Sequence, residues 1–216
     1  MSRIDVLAGT NGAGKSSIGG AMIRQKGENY FNPDEAARSL MTANPGLTQT
    51  QANAEAWQQG KRLLERAIDE GLDFAFETTL GGNTISDLLA KAIAVGIEVR
   101  IWYAGLSSPE LHIARVTARV ARGGHPIPDK DIYRRFERGR ENLIKLLPGL
   151  TALWIFDNTA DADPATGTAP KPVLVLHMEG VKIVGPGDLS ATPEWAKPIV
   201  AAAMKAAASS SPSAKP

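Results

Sequence analysis

Eight consecutive residues, Gly9-Thr10-Asn11-Gly12-Ala13-Gly14-Lys15-Ser16, follow the spacing of glycine, any four residues, Gly-Lys and Ser or Thr. Glycines let a short loop curl until several backbone N–H groups face one point, and a helix starting there adds its positive dipole end. Such a loop suits a chain of phosphates. Lys15 then neutralises the β- and γ-oxygens, the Ser16 hydroxyl ligates Mg²⁺, and Ser17 extends the site into the helix. The apolar run Ile4-Asp5-Val6-Leu7-Ala8 before the loop reads as a buried strand, and Ser16–Gln25 after it reads as a helix. Strand, loop and helix in that order predict nucleoside triphosphate binding.

Phosphoryl transfer also needs a group that takes the proton from an attacking hydroxyl. Asp34 follows a short strand at Tyr30-Phe31-Asn32, and Glu77 follows the apolar Phe74-Ala75-Phe76, with the Thr78 and Thr79 hydroxyls just after it. In a parallel sheet the ligand crevice lies beyond the carboxyl ends of the strands, which puts both carboxylates on the side of the phosphate loop. The structural alternatives are that Asp34 caps a helix at Glu35 and that Glu77 is a loop ion-pair partner.

Seven of the thirteen arginines fall between Arg115 and Arg140, a window of net charge +5 in a chain of net +1. Arg115, Arg119 and Arg122 share a helical face by their spacing, and Arg134 or Arg135 pairs with Arg138 on the next helix. Between the two helices, Gly123-Gly124-His125-Pro126-Ile127-Pro128 is a turn with glycines to hinge it and prolines to stiffen its exit. A cationic flap over the phosphates is expected, with Arg119, Arg122 and Arg135 as its catalytic arginines. A solvated basic face or a nucleic-acid patch is the alternative; only Tyr133 and Phe136 interleave, which argues against base stacking. Asp157-Asn158-Thr159 after a fifth strand offers a base contact, His112 reads as a surface or satisfied residue, and the four tryptophans read as core or interface.

The elements that must hold these groups alternate. Strands are expected at 4–8, 30–32, 73–77, 97–103 and 152–156, and helices at 16–25, 35–41, from 48 to Gly71, 85–94, 109–122 and 129–146. That order predicts an α/β fold with a mostly parallel five-stranded sheet flanked by helices. A peripheral hairpin at 173–184 and a loop at 161–172 follow. The division expected is a main domain over 1–187 and, over 188–216, a helix with a disordered Ala/Ser/Pro tail. With 43% hydrophobic and 22% charged residues the chain can bury a core. It has no cysteine and three scattered histidines, which excludes disulfides, thiol chemistry and a His/Cys metal cluster. Charges at Lys91, Glu98 and Arg100 interrupt the longest apolar stretch, so no membrane association and a cytoplasmic location are expected.

The phosphate loop, Asn32-Pro33-Asp34, Phe76-Glu77-Thr78-Thr79, the stretch from Arg119 to Pro128 and Asp157-Asn158 together resemble the zeta toxin family of P-loop kinases, and within it the zeta-toxin-like subgroup often described as predicted ATPases. The resemblance implies a P-loop kinase fold with ATP and Mg²⁺ as cofactors, a small-molecule acceptor and an antitoxin partner. Better-known members phosphorylate a hydroxyl of UDP-N-acetylglucosamine. By the same resemblance Asp34 is the general base and Glu77 contacts the acceptor; Thr78, Thr79 and His125 are expected beside Glu77 and Asp34 at the acceptor site. The Gly-Gly-His-Pro-Ile-Pro turn belongs to the subgroup, whose acceptors are mostly unassigned. A kinase for an antibiotic, a nucleoside or a nucleic-acid end shares these motifs, as does a non-catalytic nucleotide-switched binder.

Overall fold

The computed structural model describes residues 1–15, 18, 30–160 and 171–210. A seven-stranded sheet runs in the order β2-β3-β1-β4-β5-β6-β7. The strands are β1 (Arg3–Ala8), β2 (Tyr30–Phe31), β3 (Phe74–Thr78), β4 (Glu98–Gly105), β5 (Ala152–Asp157), β6 (Val173–Glu179) and β7 (Lys182–Gly185). The first five are parallel, and β6 and β7 add antiparallel. The hairpin is therefore no peripheral feature: Ile155 pairs with Leu176, and the predicted five-stranded sheet becomes seven-stranded. Leu176 and Met178 are buried, so alternating apolar residues of β6 continue the core face of β5.

The helices are α1 (Pro33–Ala43), α2 (Gln49–Glu70), α3 (Asn83–Ala94), α4 (Pro109–Val120), α5 (Asp129–Leu146) and α6 (Lys197–Ser210). Local chemistry sets their ends. Thr48 and Gln51 form a reciprocal capping box at the start of α2, and Gly71 closes it in the left-handed conformation. Ser108 caps α4 through the Leu111 amide, with Pro109 in the first turn. The helix read over Ser16–Gln25 lies, apart from Ile18, outside the described residues, as do most of the loop read over 161–172 and the tail over 211–216.

Ile4, Val6 and Ala8 alternate into the principal core, where they meet Leu64, Leu89, Leu143 and Leu153. The segment read as a separate piece from residue 188 contributes Trp195, Ile199, Val200 and Ala203 to this same core. Packing thus joins α6 to the main domain, and Ser209 belongs to the helix rather than to a disordered tail. On the opposite sheet face the polar exception, Asp5, is buried and takes two hydrogen bonds from the Arg100 guanidinium across the β1–β4 register. Among the described residues no helix is long and apolar enough to cross a membrane.

Candidate active site

The sheet register brings the chemistry together. Ala8 at the end of β1 pairs with Thr78 at the end of β3, and Phe31 pairs with Phe76, so Asn32 just past β2 stands level with Glu77, the next-to-last residue of β3, and Gly9 follows β1 two positions further on. The Gly9 amide donates to the Thr78 carbonyl at 3.2 Å, and the Ala13 amide to Thr10 at 3.0 Å, curling the loop back on itself. Gly12 has φ +83°, and a Cβ there would lie 2.7 Å from the His112 carbonyl; a Cβ on Gly14, φ +75°, would meet the Asn158 amide. Only glycine fits that combination of handedness and space. The backbone therefore keeps the concave form that an anion's oxygens fill.

Lys15 sits at the first residue past the loop and is 7% exposed. Its Nζ donates to the Gly9 carbonyl at 2.8 Å and lies 3.3 Å from Glu77 Oε1. Glu77 Oε2 in turn accepts from the Tyr30 hydroxyl at 2.9 Å and from Asn32 Nδ2 at 3.1 Å. Glu77 is thus the ion-pair partner of the loop lysine, the place the structural alternative gave it. The same Asn32 caps α1, its Oδ1 accepting from the Asp34 and Glu35 amides. Because Asn32 performs the capping, the Asp34 carboxylate is left for the cleft, 3.7 Å from Arg119 Nη1.

Arg135 reaches the loop from α5, its Nη1 donating to Asn11 Oδ1 at 2.7 Å. Two close approaches allow this. A Cβ on Gly81 would fall 2.7–2.9 Å from Arg135, and one on Gly139 would fall 3.0 Å from the Thr79 carbonyl, so α5 rests directly on the β3–α3 connection. Asn142 Nδ2 holds that connection by donating to Leu80 O at 2.8 Å, and Leu80 adopts φ +55°, a strained value for a branched side chain. Burial lowers the pKa of Arg135 while the nearby Asp131 raises it.

Asn11, Lys15, Asp34, Glu77, Thr78, Thr79, His125 and Arg135 all border one cleft of about 780 Å³. Arg119 stands at its rim, donating to the His125 carbonyl at 3.3 Å. Arg122 does not join them: α4 stops at Val120, and Arg122 is exposed in the turn beyond. Of the other arginines in the window Arg138 is exposed, and three are engaged elsewhere. Arg115 bonds the Thr159 and Ala160 carbonyls, Arg134 pairs with Asp131, and Arg140 covers the Phe136 ring. Ser16 and Ser17 lie outside the described residues. Among the described residues no group of three or more metal-ligating side chains gathers.

Two side chains, Asn158 and Trp57, hold places the sequence reading missed, and a third, His112, is the satisfied residue it expects. Asn158 is buried and donates to the Ala13 carbonyl at 2.9 Å, bracing the loop rather than meeting a base. His112 is buried too, bonded through Nδ1 to the Asn11 carbonyl. Trp57 is 42% exposed on the cleft wall, whereas Trp195 is core and Trp102 stacks on Trp154. A large aromatic among Asn53, Gln58 and Gln59 was the available signal, since the apolar stripe through Ala52 and Ala56 already supplies the buried face of α2.

The zeta toxin family model matches residues 3–159. The chain belongs to the zeta toxin family. An uncharacterized protein of Haemophilus influenzae is 31% identical over 128 residues, covering 59% of this chain and 88% of that protein. The solved complex of AvrRxo1-ORF1 with ORF2 and ATP is 17% identical with a TM-score of 0.63, covering 94% of this chain. This chain spans about 64% of that neighbour's length. The PezAT chromosomal toxin-antitoxin system of Streptococcus pneumoniae gives 14% identity and a TM-score of 0.55 over 96% of this chain and 87% of that one. At these identities the two structures speak for the fold alone, an α/β fold on a mostly parallel sheet.

Proposed function

We propose that this zeta toxin family member transfers the γ-phosphate of ATP to a hydroxyl of a small molecule bound in the cleft. The observation that carries the reading is the convergence of Lys15, Asp34, Glu77 and Arg135 on one space bordered by the phosphate loop. The pre-curled loop and its buried lysine fit a triphosphate, which takes over the Lys15 charge now matched by Glu77. Asp34 accepts the proton of the acceptor hydroxyl. As that oxygen bonds the γ-phosphorus, the bond from phosphorus to the bridging oxygen breaks and ADP leaves. Arg119 and Arg135 neutralise charge that grows on the transferring group. Thr78, Thr79 and His125 border the acceptor.

Mg²⁺ would be held by the Ser16 hydroxyl and the phosphates, with Glu77 available as a carboxylate of the sheet, and would supply charge neutralisation. The absence of cysteine supports a cytoplasmic setting. An antitoxin partner belongs to the same proposal, supported by the partnered state of PezAT and of AvrRxo1-ORF1 with ORF2.

The test is transfer of label from ATP to candidate acceptors by the wild type and Asp34→Asn. The variant keeps ATP affinity within a few-fold and loses about 10²–10⁴ in transfer, the usual worth of a general base. Parallel loss of ATP binding and rate makes Asp34 a binding group instead and defeats its role as the base.

A further inference from the structure

The zeta toxin match ends at residue 159, yet the site within it leans on a side chain well beyond that point. Trp195 sits in a short 3₁₀ turn, Glu194–Ala196, just before α6, and is 3% exposed. Its ring lies against the end of β4 so closely that Gly105 has no room for a Cβ. Its Nε1 donates to Asp157 Oδ1 at the end of β5 at 3.1 Å, and its carbonyl accepts from Arg140 Nη1 of α5 at 3.2 Å. The ring also stacks on Tyr103, with centroids 6.3 Å apart and planes at 28°.

Two of these contacts lead on to the phosphate loop. Asp157 Oδ1 also accepts from the Thr159 amide and hydroxyl, and Thr159 Oγ1 accepts from the Ser107 amide at 2.9 Å. Those bonds tie the ends of β4 and β5 together around Asn158. The Asn158 amide donates to the Gly105 carbonyl at 3.0 Å, while its side chain donates to the Ala13 carbonyl and fills the space over Gly14. By the second route, the buried Tyr103 hydroxyl is hydrogen-bonded to the buried Thr10 side chain. A Cβ on Gly139 would fall 3.0 Å from that hydroxyl, so α5 closes over the bond. The loop is therefore held at Thr10 and at Ala13, on either side of Gly12, and both supports rest on one indole.

A buried indole N–H finds an acceptor in most cores. Here the acceptor is the carboxylate whose other bonds frame Asn158, and the ring covers the glycine whose carbonyl receives the Asn158 amide. We infer that Trp195 is a positioning residue for the nucleotide, setting the phosphate loop through Asp157 and Asn158 and through Tyr103, so that the segment after β7 is a working part of the site. This rests on the reading of the loop as an ATP site and asks nothing of the acceptor.

The experiment uses the full chain and measures affinity for a fluorescent non-hydrolysable ATP analogue, melting temperature, and transfer from labelled ATP. Trp195→Phe keeps a ring over Gly105 and removes the N–H, so analogue binding weakens about 3–10-fold, the usual worth of one hydrogen bond. Asp157→Ala weakens it at least as much, and the double variant binds no more weakly than Asp157→Ala alone, because the two changes break one connection. Asp157→Asn retains the Oδ1 acceptor and loses less than Asp157→Ala. Ile199→Ala, a core truncation on α6, lowers the melting temperature at least as far as Trp195→Phe but leaves analogue affinity within about twofold of wild type. Unchanged binding in Trp195→Phe, additive losses in the double variant, or an equal loss in Ile199→Ala makes Trp195 a core residue only and overturns the inference. Wild-type protein that binds no analogue defeats the loop assignment and this inference with it. Binding that follows the expected order with no transfer to any acceptor sinks the kinase reading and leaves the role of Trp195 standing.

Discussion

The two ends of the cleft are built on opposite principles. At the phosphate end, four side chains are tied down before any ligand arrives: Lys15 to Glu77, Arg135 to the Asn11 side chain, and Asn158 and His112 to the backbone carbonyls of Ala13 and Asn11. Those partners come from β3, α4, α5 and the end of β5, so the loop's shape is set by the whole sheet. At the acceptor end, half-exposed Trp57, the hydrogen-bonded amides of Gln49 and Asn53, and Thr50 and Thr84 ride on one long helix and the start of another. A phosphate is the same in every substrate and rewards a preorganised, charge-bearing cradle. An acceptor differs from enzyme to enzyme, and a helix face can change its side chains without disturbing the core.

If the loop is the preorganised end, removing its buried cation has the largest effect. Lys15→Ala takes away the charge that faces Glu77 and the triphosphate, so turnover falls about 10³-fold or more and ATP affinity falls with it. Equilibrium binding of a labelled ATP analogue beside a steady-state assay measures both. Near wild-type turnover would move the nucleotide out of the loop altogether.

The arginines sharpen the comparison at a smaller scale. Arg135 touches the loop and Arg119 faces Asp34, whereas Arg122 is exposed past the end of α4. Arg135→Ala lowers turnover about 10–10³-fold with ATP affinity barely moved, because its charge acts on what develops during transfer. Arg122→Ala costs about 0–1 kcal/mol, as exposed charges do. If Arg122→Ala were the more damaging of the two, the turn would have to fold over the site during the reaction, and the flap rather than α5 would carry the charge.

The same contrast explains what could be read from the sequence. The phosphate end has a motif, and the strands that carry Asp34 and Glu77 to the cleft follow from runs of apolar residues, with β3 running through Glu77 to Thr78, because backbone geometry there leaves little choice of residue. Arg122 was misplaced because Val120-Ala121-Arg122 carries no helix-stop residue before Gly123. The place of Asn158 is missed for another reason: its partner is the backbone carbonyl of Ala13, 145 positions away, and a carbonyl leaves no mark in a sequence, whereas His112 is the satisfied residue expected. The hairpin's place beside β5 is likewise a long-range pairing. Trp57 hid in plain view, since the apolar period of α2 accounts for Ala52, Ala56 and Leu64 and gives an adjacent tryptophan no assigned side.

The smallest expected effect on the chemistry, and one that appears in stability, concerns His112. Its ring is 1% exposed, its Nδ1 bonds the Asn11 carbonyl at 2.9 Å, and its edge meets the Phe136 ring. Nε2 is buried with no partner among the described residues. Burial pushes its pKa from 6.5 down to about 4, with Lys15 and Arg115 acting the same way and the Asn11 bond opposing them. The folded protein therefore keeps this ring neutral down to about pH 4, while the unfolded chain protonates it near pH 6.5. Between those values the unfolded state binds more protons, so stability falls as the pH drops through the window, by up to about 3 kcal/mol from this residue. Urea unfolding of wild type and His112→Gln at pH 7, 5.5 and 4.5 measures it: glutamine can donate to the same carbonyl but does not titrate, so the variant loses this part of the slope. Equal slopes would mean that His112 charges freely in the folded protein. The loop would then lack the dry support behind Asn11 that distinguishes the phosphate end from the acceptor end.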